Sequence, residues 1–266
     1  MELTHPLEVR DLKYSYNKYP VLDGVDIEIR EGEILGILGP NGCGKTTLLK
    51  NLNKNLSPQG GCVMLEGTDL EDLGKREIAK TVAVVPQTNE IRFSFTVREI
   101  VSMGRMPFQS TMGGESAEDA RIIDRAIEEV GLTHLADRHI NTMSGGERQR
   151  VMIARALAQT PRILLMDEPT LHLDINTQLE ALDLIYDLSK KSGLTVAIVS
   201  HDLPMVARYC DRIVMIHDHR VMCCGTPEEV LTPENMETVF NIDAELGYDS
   251  KNGKRTVFLH GVARRD

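Results

Sequence analysis

Val25, Ile27 and Ile29 alternate with Asp26 and Glu28, the two-residue period of a strand with one wet face. This makes Val21–Ile29 a strand, and Leu7–Tyr16 before it predicts another. Ile34–Leu38 is apolar without alternation, as a parallel strand buried on both faces would be. A helical pattern then starts at Leu48-Leu49-Lys50. Gly60–Glu66 and Val82–Val85 read as further strands, the second closing at Pro86-Gln87.

Strand periodicity stops from Thr88 to about Met143. Thr96–Met103 is helix-like, and Phe108–Glu115 is a polar, glycine-containing loop. Ser116-Ala117-Glu118-Asp119 has the spacing of an N-terminal capping box. Ile122, Ile123, Ala126, Ile127 and Val130 then share one helical face, and Gly131 is placed to stop the helix. Met103, Met106 and Met112 serve either as packing residues or as an adaptable partner surface.

Ser144-Gly145-Gly146-Glu147 opens another helix, with Ile153, Ala154 and Leu157 apolar. Ser144 and Glu147 suit a capping box. Two glycines just inside a helix are costly, and make more sense if something anionic approaches that helix end closely. Ile163–Met166 is an apolar strand ending in Asp167-Glu168, and Asp174–Lys191 an amphipathic helix with Leu179, Leu182, Tyr186 and Leu188 among its apolar positions. Thr195–Val199 is a strand ending at Ser200-His201-Asp202, and Ile213–Ile216 with Val221–Cys224 reads as a hairpin across Asp218-His219. Beyond Gly225 lie a helix (Pro227–Leu231), a polar stretch and a final strand, Arg255–Leu259.

Strands alternating with helices predict an α/β fold with a parallel sheet, an N-terminal antiparallel β subdomain and an inserted α-helical subdomain. The expected division is a core with the β subdomain over 1–87 and 156–240, helices over 88–155, and a C-terminal extension over 241–266.

Composition narrows the setting. At 266 residues, 41% of them hydrophobic, the chain holds one large domain or a core with a subdomain. No apolar run approaches the ~18–20 residues that cross a bilayer, and MELTHPLEVRDLK lacks the apolar region of a signal peptide. The expectation is a cytoplasmic protein that does any membrane work through a partner. A formal charge of −10 speaks against non-specific binding of nucleic acid. Five scattered cysteines (Cys43, Cys62, Cys210, Cys223, Cys224) suit free thiols in a reducing compartment. His217, His219, Cys223 and Cys224 do not form a metal site, because strand alternation splits them between faces.

The chemistry centres on Gly39-Pro40-Asn41-Gly42-Cys43-Gly44-Lys45-Thr46, which fits the phosphate-loop pattern G-x-x-x-x-G-K-[ST] between a strand and a helix. Successive N–H groups in such a loop make an anion-binding concavity, and the following helix aims its positive end at it. Lys45 is placed for β- and γ-phosphates and the Thr46 hydroxyl for Mg²⁺. Asp167 would hold Mg²⁺, usually through water, and Glu168 would orient or deprotonate an attacking water. Taken alone, Tyr16 near the first turn, Gln87 beyond a strand end and His201 beyond another read first as ordinary loop or strand-end residues, and only second as ligand contacts.

With Gly39–Thr46, Gln87, Ser144–Gln149, Asp167–Glu168, Asp174 and His201 in this order, the chain resembles the ATPase subunit of ABC transporters over nearly its whole length. Met143-Ser144-Gly145-Gly146-Glu147-Arg148-Gln149 looks like that family's signature sequence, although leucine is usual where Met143 stands. The resemblance implies that ATP is held by Gly39 to Thr46 with Thr47, and by Ser144, Gly145, Gly146 and Glu147 of a second copy in a head-to-tail homodimer. It implies that Tyr16 stacks on adenine, that Gln87 senses Mg²⁺ and the water, and that Asp174 sits in the loop crossing the dimer. His201 is the implied γ-phosphate switch. Implied partners are two transmembrane permease subunits and, indirectly, a substrate-binding protein, with no nucleic acid. The implied location is the cytoplasmic face of the membrane.

Thr96–Val101 followed by Gly104-Arg105-Met106-Pro107-Phe108, Leu173-Asp174-Ile175 with Gln178, and His201-Asp202-Leu203 with Arg208-Tyr209-Cys210-Asp211 are similar to importers of iron chelates, haem and cobalamin. His219 departs from the glycine common in that turn. The alternatives are an exporter ATPase, or a soluble relative in DNA maintenance or translation. The latter usually carries a long coiled-coil insertion or two ATPase halves, neither of which this sequence has.

Overall fold

The computed structural model describes residues 5–87, 94–109, 114–171, 173–251 and 253–263. In chain order its elements are β1 (Leu7–Tyr16), β2 (Tyr19–Ile29), β3 (Ile34–Leu38), α1 (Lys45–Leu52), β4 (Gly60–Leu65), β5 (Thr68–Asp69), α2 (Lys75–Thr81) and β6 (Val82–Val85). Then follow α3 (Val97–Ser102), α4 (Ala117–Glu129), α5 (Gly145–Ala158), β7 (Ile163–Asp167), α6 (Ile175–Ser192), β8 (Thr195–Val199) and α7 (Leu203–Tyr209). The chain closes with β9 (Arg212–His217), β10 (Arg220–Gly225), α8 (Pro227–Val230), α9 (Pro233–Phe240), β11 (Ile242–Tyr248) and β12 (Arg255–Val262). No helix among the described residues is long and apolar enough to cross a membrane. The chain forms two compact units, residues 1–72 with 195–266, and residues 73–194.

In the first unit, β2, β1, β4 and β5 make an antiparallel sheet. Its register, Leu7 opposite both Ile29 and Leu65, puts the alternating residues Val25, Ile27 and Ile29 into the core, where each is at most 4% exposed. β3 lies parallel to β8 on one side and to β9 on the other. Every residue of β3 and of β8 is buried, which is why neither alternates. β10 covers β9 antiparallel, through a turn in which Asp218 (φ 46°) and His219 (φ 69°) are both left-handed. His219 tolerates that position without glycine and places its Nδ1 3.2 Å from the Val21 carbonyl oxygen. Cys224 Sγ accepts from Arg212, and Cys223 Sγ from Asn235.

In the second unit, β6 and β7 pair in parallel. Helices α3 and α4 begin with complete capping boxes, at Thr96/Glu99 and Ser116/Asp119. Ile123, Ala126, Ile127 and Val130 are buried, and Gly131 follows at φ 71° as the helix stop. Arg105 is 5% exposed. Its Nε donates to Asp119 Oδ1 at 2.8 Å and its Nη1 to the Ala158 carbonyl at 2.8 Å, and its guanidinium lies 4.0 Å from the Phe108 ring centroid. Arg105 thus ties α4 and the end of α5 to the loop after α3.

Three expectations change. The buried stripe of α6 is Ala181, Leu182, Ile185 and Ser189. Tyr186 is exposed beneath Lys190, because the 3.6-residue period places it off that stripe. The stretch after Pro227–Leu231 holds α9 and a full strand, β11, and α7 follows directly on His201-Asp202. Thr88 and Met112 lie outside the described residues.

Candidate functional site

At the C-terminal end of β3 the chain turns at Gly39 with φ 155°. A Cβ there would lie inside van der Waals contact with the Ile216 carbonyl oxygen and 2.6 Å from Cys43 Sγ. Gly44, at φ 105°, has the Val21 carbonyl oxygen 2.6 Å from where a Cβ would sit. Only glycine meets both the left-handed backbone and the close approach. Helix α1 starts immediately afterwards, with no side-chain cap and no acidic residue in its first turn. Helices α3, α4, α5 and α8 each carry a capping box. The N-cap of α1 is itself a glycine, Gly44, and its first turn carries no carboxylate, so the positive end of the helix lies at the loop without a negative charge from its own first turn.

Lys45 is 6% exposed, and its Nζ donates to the carbonyls of Gly39 at 2.7 Å and Pro40 at 2.9 Å. A buried ammonium is thus held over the loop by oxygens that a phosphate can replace. Burial pushes the Cys43 thiol up despite the opposing pull of Lys45, so it stays neutral and adds no negative charge beside the loop. Pro40, Asn41, Gly42, Thr46 and Thr47 complete this segment.

Two other predicted residues sit in the same unit. β8 runs beside β3 in parallel with Val199 opposite Ile37, so the exposed His201 follows at the end of the sheet where the loop begins. Asp202 accepts from Met205 N at 3.0 Å and caps α7, fixing the turn that carries His201. Tyr16 is 43% exposed at the β1–β2 turn, edge-on to Tyr14 at 5.1 Å. That turn leads through Tyr19 into Val21, whose carbonyl backs Gly44.

The second unit carries the carboxylates and the signature segment. Val85 pairs with Met166, so Gln87 and Asp167-Glu168 emerge at the same end of the β6–β7 pair. Asp167 is 8% exposed. Glu168 sits at φ 48°, a left-handed backbone that costs energy for a residue with a Cβ and recurs at functional positions. Within this unit Gln87 and Asp167 offer hard oxygen donors, the ligand chemistry that Mg²⁺ takes.

Ser144 caps α5 in a box with Glu147, whose carboxyl is held below the usual range by the Ser144 backbone N–H. Asp174 caps α6: its Oδ1 accepts from Thr177 N at 3.0 Å and its Oδ2 from the Thr177 hydroxyl at 2.8 Å. These bonds, the backbone one first, hold Asp174 below its usual range.

One reason for the signature glycines differs from the expectation. A Cβ on Gly146 would fall inside the Thr177 methyl and 3.2 Å from its hydroxyl. Close packing within the chain thus already demands glycine there, whatever approaches from outside. Thr177 escaped the reading of the sequence, although the Asp174–Thr177 spacing carries a capping pattern.

The sequence profile of the ABC transporter family matches residues 22–171, more than half the chain. The chain belongs to this family. ABC transporter relatives include the iron(3+)-hydroxamate import ATP-binding protein FhuC of Bacillus subtilis, 40% identical over 98% of this chain and 97% of that protein. The ferric enterobactin transport ATP-binding protein FepC of Escherichia coli is 36% identical over 89% of this chain and 87% of its own length. The cobalamin import ATP-binding protein BtuD of Halobacterium salinarum is 40% identical over 94% of this chain, which spans only 63% of that protein. Among solved structures, a chain described as part of an inward-facing metal-chelate type ABC transporter matches with TM-score 0.85 and 27% identity over 98% of both chains. The dimeric cassette MJ0796 bound to ADP and Pi matches with TM-score 0.71 and 31% identity over 83% of this chain and 98% of that one.

Proposed function

We propose that this chain is the ATP-binding and hydrolysing subunit of an ABC importer for an iron–siderophore complex, haem or a cobalamin. The observation that carries the reading is the end-to-end likeness to an iron-hydroxamate import subunit, joined to a phosphate loop in which Gly39 and Gly44 leave no room for a side chain. Lys45 and the first turn of α1 neutralise the phosphates, with Gly39 to Thr47 wrapping them and Tyr16 stacking on the base. Thr46, Gln87 and Asp167 would hold Mg²⁺, which would supply positive charge to the β- and γ-phosphates. Glu168 orients the attacking water and accepts its proton, and His201 senses the γ-phosphate.

Two copies close head to tail, with Ser144, Gly145, Gly146 and Glu147 of one facing ATP on the other and Asp174 in the crossing loop. Closure favours one conformation of two permease subunits, fed by a substrate-binding protein, and hydrolysis releases it. Nearly complete switching takes about 5.5 kcal/mol of differential binding. The protein is peripheral on the cytoplasmic face, with an α/β core over 1–87 and 156–240, a helical subdomain over 88–155 and an extension over 241–266.

Purification of the chain from detergent-solubilised native membranes tests this. A polytopic membrane protein is expected to come with it, and its ATPase activity is expected to respond to binding protein loaded with an iron chelate, haem or a cobalamin. Recovery only in the soluble fraction with DNA or ribosomes attached would overturn the transport reading and leave the ATP site intact.

A further inference from the structure

The N-termini of α5 and α6 meet at one point, Gly146 against Thr177. The Thr177 hydroxyl donates to Asp174 Oδ2 at 2.8 Å, and its backbone N–H donates to Asp174 Oδ1 at 3.0 Å. A β-branched side chain has few χ1 choices, so these bonds fix where the methyl lies, which is against Gly146. The next residue, Gln178, donates from Nε2 to the carbonyls of Leu173 at 3.0 Å and Thr170 at 3.2 Å. Leu173 Cδ2 comes within 3.7 Å of where a Cβ on Gly145 would sit. Arg150 of α5 and Glu180 of α6 form an ion pair farther along the same contact. The start of α6 and the residues just before it are therefore seated against the start of α5 at Gly146, with Leu173 lying near Gly145.

We infer that Thr177 is a positioning residue that makes the segment after Asp167-Glu168 and the signature end of α5 move as one piece. The inference rests on the head-to-tail reading above. In such a dimer Asp167 and Glu168 serve the ATP on their own chain, while Ser144 to Gly146 face the ATP on the partner. A rigid link between them makes each chain report the state of one ATP to the other. Gly146 is then glycine in order to seat Thr177, and its closeness to a phosphate follows from that seat.

The test uses the full chain carrying Glu168→Gln, so that Mg-ATP drives dimerisation without turnover, followed by sedimentation against ATP concentration. Thr177→Ser keeps both cap bonds and removes only the methyl. It is expected to raise the ATP concentration for half-maximal dimerisation by about fivefold, the effect of losing one packed methyl. The affinity of the monomer for a fluorescent ATP analogue is expected to stay the same. A role limited to capping α6 would leave both quantities unchanged, and that result would overturn the inference.

Gly146→Ala is expected to raise the midpoint about tenfold or more by overpacking. Adding Thr177→Ser to it removes the clashing methyl and leaves the hydroxyl oxygen at position 177, 3.2 Å away, and the Cβ, 3.3 Å away, as the nearest side-chain atoms there. The double variant is expected to recover most of the loss. No recovery means that the glycine serves the phosphate alone and the inference fails. If the Glu168→Gln parent does not dimerise with Mg-ATP, the head-to-tail reading itself fails and takes this inference with it.

Discussion

Gly44 makes the residue-scale case most sharply. Its φ of 105° and the carbonyl oxygen of Val21, 2.6 Å from where a Cβ would sit, forbid a side chain on two independent grounds. Gly44→Ala is expected to cost about 1–3 kcal/mol of stability and to abolish binding of a fluorescent ATP analogue in titration. Gly42, at φ 83° with nothing near its missing Cβ, keeps only the backbone ground, so Gly42→Ala should be the milder change. Ser144→Ala removes the cap of α5 and should lower stability by about 1 kcal/mol in urea unfolding. Sequence spacing named all three positions. The Gly146–Thr177 contact was not legible, because it joins residues on separate helices whose approach only packing sets.

Among elements, the helices of the second unit hang on Arg105. Its partner Asp119 is pulled below the usual carboxylate range first by Arg105 and then by the Ser116 hydroxyl. Arg105→Met leaves a buried carboxylate without its cation and should cost about 3–5 kcal/mol in denaturant unfolding. The pH dependence has a definite sign. The folded pKa is depressed, so the pair's contribution is complete above the unfolded carboxylate value of about 4 and is lost as pH falls through the lower folded value. Arg105→Met should therefore shift acid unfolding to higher pH, followed by far-ultraviolet circular dichroism. The capping boxes of α4 and α5 were legible because both partners lie within four residues. β11 went unread although Ile242, Ala244, Leu246 and Tyr248 alternate with Asp243, Glu245 and Gly247, because two carboxylates and a glycine make the stretch look polar until it pairs with β12. Tyr186 was misplaced because an apolar count along α6 does not fix which stripe the core takes.

At the scale of the whole molecule, ATP binding should be visible as stability. Mg-ATP at about a hundredfold its Kd should add about 2.7 kcal/mol to the Glu168→Gln protein, read as a rise in Tm. The Lys45→Ala variant should show no such rise, because it lacks the ammonium held at the Gly39 and Pro40 carbonyls.

Legible in the residues alone were a strand–loop–helix with the phosphate-loop pattern, the carboxylate pair at the end of β7, and the family whose order of motifs these are. All of these rest on short spacings, in which the chemistry and the backbone needs are carried by neighbouring residues. Tertiary structure alone decided which carbonyls press on Gly39 and Gly44, which stripe of α6 is buried, and that Thr177 seats against Gly146. Those contacts arise where distant segments pack to the density of a solid, and no local pattern carries that distance.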